Sequence, residues 1–428
     1  MDISADDRIQ PSLPRLAFGL IFSCQFILAI GNTGLVSVLP AIGRSIGIPD
    51  VFIAATFSLS GLLVTVFSPV WAKISDRRGR KPLIILGMTG YVVSMMACGL
   101  VISAGLHHLA PWFIIVPCLL CARAIFGTFG SAIGPAGQAY VAERLPGEER
   151  TKAISSLAGS QGLGAVIGPL LAPLFILPFV GLAGPMFAFS LIAGVTVLLV
   201  LRFLHEGPRS EFDRPDDPKP GEAPDGQRQP AWRDPRIAPF LIFALAISIA
   251  QGAQTQILAF LIIDTLHLTP AHAQRYIAVA MMAGAIASLV AQWGLMRIFR
   301  MIPRDLMRWG AGAALLGHLL IIASSNFWVI VTGYVISCLG FAFARPGFTA
   351  GLSLAVSIRE QGRIAGILSM FAGLNLVTPL FVLLYQFNGS APFLVNAVGL
   401  AAAGLYSFRQ PMLRLSGVAA ARGGSALS

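Results

Sequence analysis

Twelve long apolar runs constrain the fold of this chain more than any other feature of its sequence. A helix that crosses a bilayer needs about 20 predominantly apolar residues, and these runs provide that length. They lie near 16–40, 51–74, 82–104, 112–142, 152–176, 179–203, 237–263, 274–299, 308–324, 327–357, 363–387 and 391–408. A membrane β-barrel would show alternating segments of about 10 residues instead of continuous runs. The pattern therefore predicts an all-α membrane protein with twelve transmembrane helices.

The composition excludes several classes of soluble protein. Hydrophobic residues make up 56% of the chain, charged residues make up 11%, and the mean hydropathy is +0.77. An average soluble domain carries roughly 25% charged residues, and a soluble globule this apolar would expose large greasy patches to water. The five cysteines all fall in apolar runs, without the paired spacing of a zinc site or a disulfide framework. A soluble enzyme, a disulfide scaffold and a disordered protein are thus excluded.

The basic residues predict how the chain is oriented. Lys and Arg number 30 against 19 for Asp and Glu, a net charge of +11 that by itself also suits nucleic-acid binding. If both termini are cytoplasmic, 26 of the 30 lie in cytoplasmic loops and tails. The other four are Arg44 and Arg275 outside, and Arg123 and Arg345 within runs. This asymmetry predicts that both termini are cytoplasmic. It also indicates that the basic residues determine the topology of the chain in the membrane and do not form a nucleic-acid-binding surface.

One long polar stretch divides the chain. Residues 205–236 are rich in Pro and charge and contain almost no large apolar side chain, which is typical of a flexible linker. We therefore expect an N-terminal six-helix bundle over 1–204 and a C-terminal six-helix bundle over 237–409. Residues 410–428 are expected to form a cytoplasmic tail.

The two halves also resemble each other at a nearly constant offset. Trp71 corresponds to Trp293, 222 residues later, and Pro169 corresponds to Pro379, 210 residues later. Between them, the segment 133–153 aligns with 344–365. Two related six-span halves are typical of secondary transporters whose central site lies between the halves.

A charged loop follows the second run. Asp76-Arg77-Arg78-Gly79-Arg80-Lys81 places an acid, four bases and a turn glycine where ion pairs and helix-end contacts can latch neighbouring helices. Plain positive-inside anchoring is the alternative interpretation. The stretch resembles the loop signature G-x-x-x-D-R-x-G-R-K of the major facilitator superfamily, with Ala72 in place of the leading Gly. The resemblance implies the major facilitator fold, with Asp76, Arg77, Gly79, Arg80 and Lys81 in a gating loop.

The fourth run carries a second resemblance to the family. Arg123-Ala-Ile-Phe126-Gly127 resembles the motif R-x-x-Q-G, with Phe126 at the usual Gln. Residues 140–143, Tyr-Val-Ala-Glu, are similar to the corresponding stretch of tetracycline-resistance and multidrug exporters.

The fifth run carries a third resemblance to the family. Gly164-x-x-x-Gly168-Pro169 resembles the antiporter motif G-x-x-x-G-P-x-x-G-G, although Ala172 and Pro173 replace the final glycines. Small residues at this spacing also let two helices pack closely. Together the motifs resemble twelve-span drug:proton antiporters. This implies a monomer that needs no cofactor and works in the bacterial inner membrane.

The acids avoid the middle of every run. Glu143 and Asp264 come nearest, at the ends of the fourth and seventh runs. Many multidrug antiporters of the family keep a carboxylate in the first span, whereas the polar residues here are Gln25, Asn32 and Thr33, which release no proton near neutral pH. This departure argues against recognition of cationic drugs by a buried carboxylate.

Two arginines fall inside runs instead. Arg123 and Arg345 are permanently charged, so neither carries a proton. Their guanidinium groups suit capture of a substrate carboxylate or similar anion. Structural bonding to backbone carbonyls, or a coupling role in the family motif, is the alternative. Gln25, Asn32 and Gln254 are candidates to line the same cavity, or to form hydrogen bonds between helices.

Three residues are candidates for proton coupling. His318 is the only histidine near the middle of a run, and histidine titrates near physiological pH. A buried histidine that is simply hydrogen-bonded is the alternative. Glu143 and Asp264 are the other candidates.

These observations predict a secondary active transporter that exports a small anionic or zwitterionic organic compound in exchange for protons. Its partners are that substrate, protons and the lipid bilayer. Uptake of a small solute or siderophore by proton symport or facilitated diffusion is the first alternative, and a membrane sensor or partner protein that transports nothing is the second. Since no catalytic constellation occurs in the sequence, we do not expect an enzyme.

Overall fold

The computed structural model describes residues 13–145, 147–176, 181–206, 234–299, 301–324, 326–356 and 377–410, and these are almost entirely helical. The helices are α1 (Arg15–Ile46), α2 (Asp50–Arg78), α3 (Arg80–Leu106), α4 (Trp112–Phe129), α5 (Ile133–Ala142), α6 (Gly147–Leu171), α7 (Gly184–Phe203), α8 (Ala238–Leu266), α9 (Pro270–Leu289), α10 (Met296–Phe299), α11 (Pro303–Ile322), α12 (Phe327–Leu354), α13 (Thr378–Phe387) and α14 (Ala391–Arg409). A 3₁₀ turn joins α4 to α5, and a π-helical segment joins α9 to α10.

Eleven helical segments in the described ranges are long and apolar enough to cross a bilayer. They coincide with the first ten runs and with the twelfth. α4 and α5 together form one span, and α9 forms another with the π-helical segment that follows it. Of the eleventh run, residues 363–376 lie outside the described part of the chain, and α13 forms its remaining end. The all-α membrane fold is confirmed. The count of twelve spans and the internal repeat stay predictions.

Short connections between spans make consecutive spans antiparallel. α1 ends at Ile46, and the next residue, Gly47, has a φ of 81° that reverses the chain three residues before α2 begins. Gly79, with a φ of 102°, is the single residue between α2 and α3. Glycine adopts these positive φ values without the steric cost that a side chain would bring. We call the two ends of the bundle the Arg44 end and the Arg80 end.

Apolar contact between the two halves is concentrated at the Arg44 end. We call α1–α7 the first half and α8–α14 the second half. The larger core cluster joins the first half to residues 253–263 of α8 and to parts of α9, α12 and α13. A second cluster, which contains Phe240, Met307 and Phe348, holds α8, α11, α12 and α14 together without residues of the first half. In the described part of the chain, the halves are therefore sealed most tightly near Arg44.

Close packing of α6 on α1 depends on the glycines of the fifth-run motif. A Cβ at Gly168 would overlap Thr33 Oγ1 and the Ile30 carbonyl oxygen. A Cβ at Gly164 would lie 2.9 Å from the Phe26 carbonyl oxygen. Pro169 follows within α6. The backbones approach too closely here for any side chain larger than hydrogen.

We therefore expect Gly168→Ala to destabilise the protein. The added methyl meets backbone atoms that cannot move aside, and overpacking of this kind costs about 1–3 kcal/mol. Thermal unfolding in detergent measures the loss. Gly134→Ala is the matched control, because nothing lies within 4 Å of the added Cβ there. Equal melting temperatures for the two variants would contradict close packing at Gly168.

Candidate functional site

Arg123 is a buried cation in the middle of the first half. Its side chain is 1% exposed, and its guanidinium carbon lies 4.5 Å from the ring centroid of Phe126 and 5.6 Å from that of Phe57. Nη2 donates a hydrogen bond to Asn32 Oδ1 at 2.9 Å. Among the described residues, no carboxylate pairs with Arg123, and its Nε and Nη1 have no hydrogen-bond partner. Two aromatic faces and one amide therefore hold this charge.

The Nε and Nη1 groups of Arg123, which have no partner among the described residues, form an edge that can donate hydrogen bonds to a ligand. A buried charge without full compensation is costly, so unbonded guanidinium N–H groups attract any anion or polar oxygen that reaches them. Nε and one terminal nitrogen form the edge that binds a carboxylate in two parallel hydrogen bonds. In the present conformation protein encloses this edge. The structure thus brings Arg123 and Asn32 together, on α4 and α1.

The predicted glutamines lie apart from this pair. Gln25 is buried, and its Oε1 accepts a 3.4 Å hydrogen bond from Gln161 Nε2 of α6. Gln254 on α8 is 1% exposed, and its Oε1 has no partner among the described residues. Gln256 Oε1 is unpartnered in the same way. These amides supply unused hydrogen-bonding capacity on α1 and α8, but none bonds to Arg123.

Arg345 has a different environment. Its side chain is exposed, whereas that of Arg123 is buried. In the described ranges, its guanidinium forms no hydrogen bond or ion pair. Thr349 Oγ1 donates to its carbonyl oxygen at 3.0 Å, and α12 continues through Pro346. Arg345 is therefore a cation free to meet a ligand.

His318 is sealed inside the second half. It is 0% exposed, and its Nδ1 lies 2.9 Å from the Ala314 carbonyl oxygen, which assigns the proton of the neutral ring to Nδ1. The rings of Phe341 and Phe393 have centroids about 6 Å from it. Its Nε2 has no partner among the described residues. His318 contacts neither Arg123 nor Asn32.

The Arg80 end carries an ion-pair cluster built on the charged loop. Arg80 Nη2 lies 2.6 Å from Glu143 Oε1, and Arg80 Nη1 lies 2.6 Å from Asp76 Oδ1. Glu206, just beyond α7, accepts the backbone N–H groups of Arg80 at 2.7 Å and Lys81 at 3.1 Å. The cluster ties α2, α3, α5 and the chain after α7 together within the first half.

The remaining loop residues have simpler roles in this cluster. A Cβ at Gly79 would lie 2.6 Å from Glu206 Oε1, and the φ of 102° at this position itself favours glycine. Lys81 Nζ donates to the Leu201 carbonyl oxygen at 3.1 Å. Arg77 is exposed in the last turn of α2.

A second ion-pair cluster at the Arg44 end joins the two halves. Arg44 bonds Asp50 through Nε at 3.1 Å and Nη2 at 2.8 Å, and it also forms an ion pair with Asp264 of α8. Tyr385 of α13 donates to Asp264 Oδ2 at 2.7 Å. The sequence indicated Asp264, but not Arg44, Asp50 or Tyr385. The six-residue spacing of Arg44 and Asp50 is the one local signal in the sequence from which part of this cluster could have been found.

Comparison with known proteins agrees with these motifs and this fold. The family model for the Major Facilitator Superfamily matches residues 21–377. The chain belongs to the major facilitator superfamily. This superfamily member is 26% identical to Multidrug resistance protein 1 of Bacillus subtilis (strain 168) over 411 residues, which is 90% of this chain and 94% of that protein. It is also 30% identical to Multidrug resistance protein 2 of the same organism, although the match covers only 44% of each chain.

A solved structure shows the same fold. It is that of a bacterial homolog of the human lysosomal transporter Spinster, in an inward-facing and unoccupied conformation. The two structures align with a TM-score of 0.63 over 93% of each chain, at 17% sequence identity. The major facilitator fold predicted from the loop and motifs is thus confirmed.

The partner of Arg123 yields a stability prediction. Asn32→Leu removes the side-chain acceptor that Arg123 has among the described residues, and we expect a loss of about 2 kcal/mol, typical of a hydrogen bond to a charged group. Asn32→Asp keeps an acceptor and adds a compensating charge, so it should be at least as stable as the natural protein. Thermal unfolding in detergent compares the three proteins. A leucine variant as stable as the natural protein would show that Asn32 does not hold Arg123.

Proposed function

We propose that this major facilitator exports a small organic anion or zwitterion in exchange for protons, by alternating access. The six-span bundles on either side of residues 205–236 would rock about a site between them, in a monomer. The Arg80 end would face the cytoplasm of a bacterial cell, because most basic residues of the chain lie in loops at that end.

The observation that carries this proposal is the sign of the charge inside the spans. Arg123 and Arg345 lie within α4 and α12, while the described acids lie at or near helix ends. A central cavity between such helices is positive, and charged groups within membrane spans usually belong to the substrate or ion pathway. A cationic drug would be repelled there, and a carboxylate would be attracted.

Arg345 is the better first contact for that carboxylate. Its guanidinium is exposed and unbonded, whereas the free edge of Arg123 is enclosed. We therefore assign Arg345 to capture of the anion from the Arg80 end. Arg123, Asn32, Gln25 and Gln254 would complete the site when the halves rock.

Two features support export. The relative matched over nearly its whole length is named a multidrug resistance protein. The halves are also sealed at the Arg44 end, and at the Arg80 end the second half has its own core. A site closed at the Arg44 end would be loaded from the Arg80 end, which is the cytoplasmic end in this proposal. His318 is the candidate relay for the proton, since Glu143 is already engaged by Arg80.

The test measures proton release from everted membrane vesicles, whose acidified interior is followed with a pH-sensitive dye. A panel of aromatic carboxylates is added, with the cation ethidium for comparison. We expect carboxylates, and not ethidium, to release the stored protons. Arg345→Gln should raise the half-saturating concentration about tenfold, the effect of losing one charge-assisted hydrogen bond.

Arg275→Gln is the matched control, because it removes one exposed positive charge at the end of a span rather than within it. It should leave the half-saturating concentration unchanged. Release of protons by ethidium and not by any carboxylate would refute an anionic substrate.

A further inference from the structure

A glutamine of α5, Gln138, lies within a membrane span and has an exposed side chain. Among the described residues, its amide forms no hydrogen bond. An amide has two N–H donors and a carbonyl acceptor, and these groups are costly within a membrane unless water or a ligand meets them. Gln138 is therefore available to a ligand, provided that it faces the space between the halves.

The packing of α5 turns Gln138 toward that space. α3 is an outer helix of the first half, because its neighbours α1, α2, α4, α5 and α7 all belong to that half. Ile133 of α5 packs against Gly87 of α3, and the Tyr140 hydroxyl donates to the His205 carbonyl oxygen beyond α7. Successive helical residues are turned by about 100°. Gln138 is five residues after Ile133 and two before Tyr140, so it lies on the opposite side of α5.

Arg345 lies on the corresponding side of α12. α11 is an outer helix of the second half, since it packs on α12 and α14. Two glycines of α12 face α11: a Cβ at Gly340 would overlap the Ala314 backbone nitrogen, and one at Gly347 would lie 3.0 Å from Leu306 Cβ. Arg345 is five residues after the first glycine and two before the second. The same rotation therefore turns it away from α11 and toward the first half.

The two exposed sides also lie at one depth in the membrane. Seven residues into α3, Gly87 packs on α5 at the residue before Gly134. Seven residues into α11, Gly310 packs on α12 at the residue before Arg345. Both helices begin at the Arg80 end and rise about 1.5 Å per residue, so Gly134 and Arg345 lie about 10 Å from that end. Gln138 is one turn nearer to it.

There is room for a ligand at this depth. No atom lies within 4 Å of a Cβ built at Gly134, so the surface of α5 is recessed at that residue. Arg345 and Gln138 are both exposed, and neither forms a hydrogen bond or ion pair within the described ranges. A ligand can therefore approach the backbone of α5 and reach both side chains.

The two sides differ in charge. α5 contains no charged residue, and next to it lies Gln25 of α1, whose Nε2 would be 3.3 Å from a Cβ at Gly137. Gln25 accepts a hydrogen bond from Gln161 of α6, and its Nε2 is buried without a partner in the described part of the chain. The first half therefore presents neutral amides, whereas the second half presents the permanent charge of Arg345.

We propose that Gln138 binds a neutral polar group of the transported anion while Arg345 binds its carboxylate. The side-chain amide pairs with a carbonyl, hydroxyl or amide group, and it has no favourable partner in a methylene group. The substrate class is thus an organic acid that carries such a polar group apart from its carboxylate. An acid whose remainder is wholly apolar would displace water from Gln138 and leave its amide unpaired. This inference rests on the proposed function for the carboxylate, and it adds the residue that selects among acids.

Equilibrium binding to the full chain in lipid nanodiscs, measured by isothermal titration calorimetry, tests this selection. The probes are N-benzoyl ω-amino acids with spacers of increasing length between amide and carboxylate. Each is paired with the phenylalkanoate of equal chain length, in which methylene groups replace the amide. We expect an amide-bearing acid to bind about tenfold more tightly than its paired phenylalkanoate, as when a buried polar group gains one hydrogen bond.

Gln138→Leu should abolish that preference. Its affinity for the amide-bearing acid should fall about tenfold, and its affinity for the phenylalkanoate should not change. Gln386→Leu is the matched control, because Gln386 is an exposed glutamine near the Arg44 end of α13. It should change neither affinity, and melting temperatures verify that both variants are folded.

Three results would overturn the assignment of Gln138. They are equal binding of the paired acids by the natural protein, no binding of any amide-bearing acid, and a Gln138→Leu variant that keeps the preference.

Arg345→Gln separates this inference from the function on which it rests. The paired acids share the carboxylate, so this variant should weaken both by the same factor and keep the ratio between them. Equal binding of the pair by the natural protein, with both weakened in Arg345→Gln, would refute the role of Gln138 alone. A preference that depends on Gln138, in a protein whose affinities Arg345→Gln does not change, would refute anion capture by Arg345 alone.

Discussion

The low polarity of the bilayer interior is the constraint on which the rest of this structure depends. An ion in that medium has no water to solvate it, so charged side chains are driven to helix ends or must be compensated by protein groups. The described acids lie at or near helix ends, and several of them form clusters around Arg80 and Arg44. Arg123 lies within a span, and its charge is compensated by two phenylalanine rings and by Asn32. Charge is therefore concentrated where it can latch helices or meet a ligand.

The two ends of the bundle use ion pairs for different purposes. At the Arg80 end, the cluster joins Asp76, Glu143 and Glu206 and stays within the first half, which makes that half rigid. At the Arg44 end, the ion pair to Asp264 crosses between halves. A first half braced by its own ion pairs, and joined to the second half by one exposed ion pair, is suited to rocking motion. Alternating access needs this difference in stiffness.

Close packing between helices also stabilises the first half. Lipid tails are as apolar as leucine, so helices in a membrane associate through close contact rather than by escaping water. Gly164 and Gly168 let α6 approach the backbone of α1. The fifth-run spacing predicted close packing there, but it did not say which helix would be the partner. The position of Gly168 against Ile30 and Thr33 was visible only in three dimensions.

The sequence by itself determined the fold class, most of the span limits and the family. Hydropathy carries this information because a span must be apolar along its whole length, and the charged loop is a local motif. Tertiary structure alone decided that Arg44 meets Asp264, 220 positions later, and that Arg123 meets Asn32. It also decided that the side chain of His318 is buried while that of Arg345 is exposed. A membrane helix is apolar on the lipid side and the protein side alike, so its sequence pattern does not reveal which face turns inward. Rotation and pairing are settled only when the helices pack.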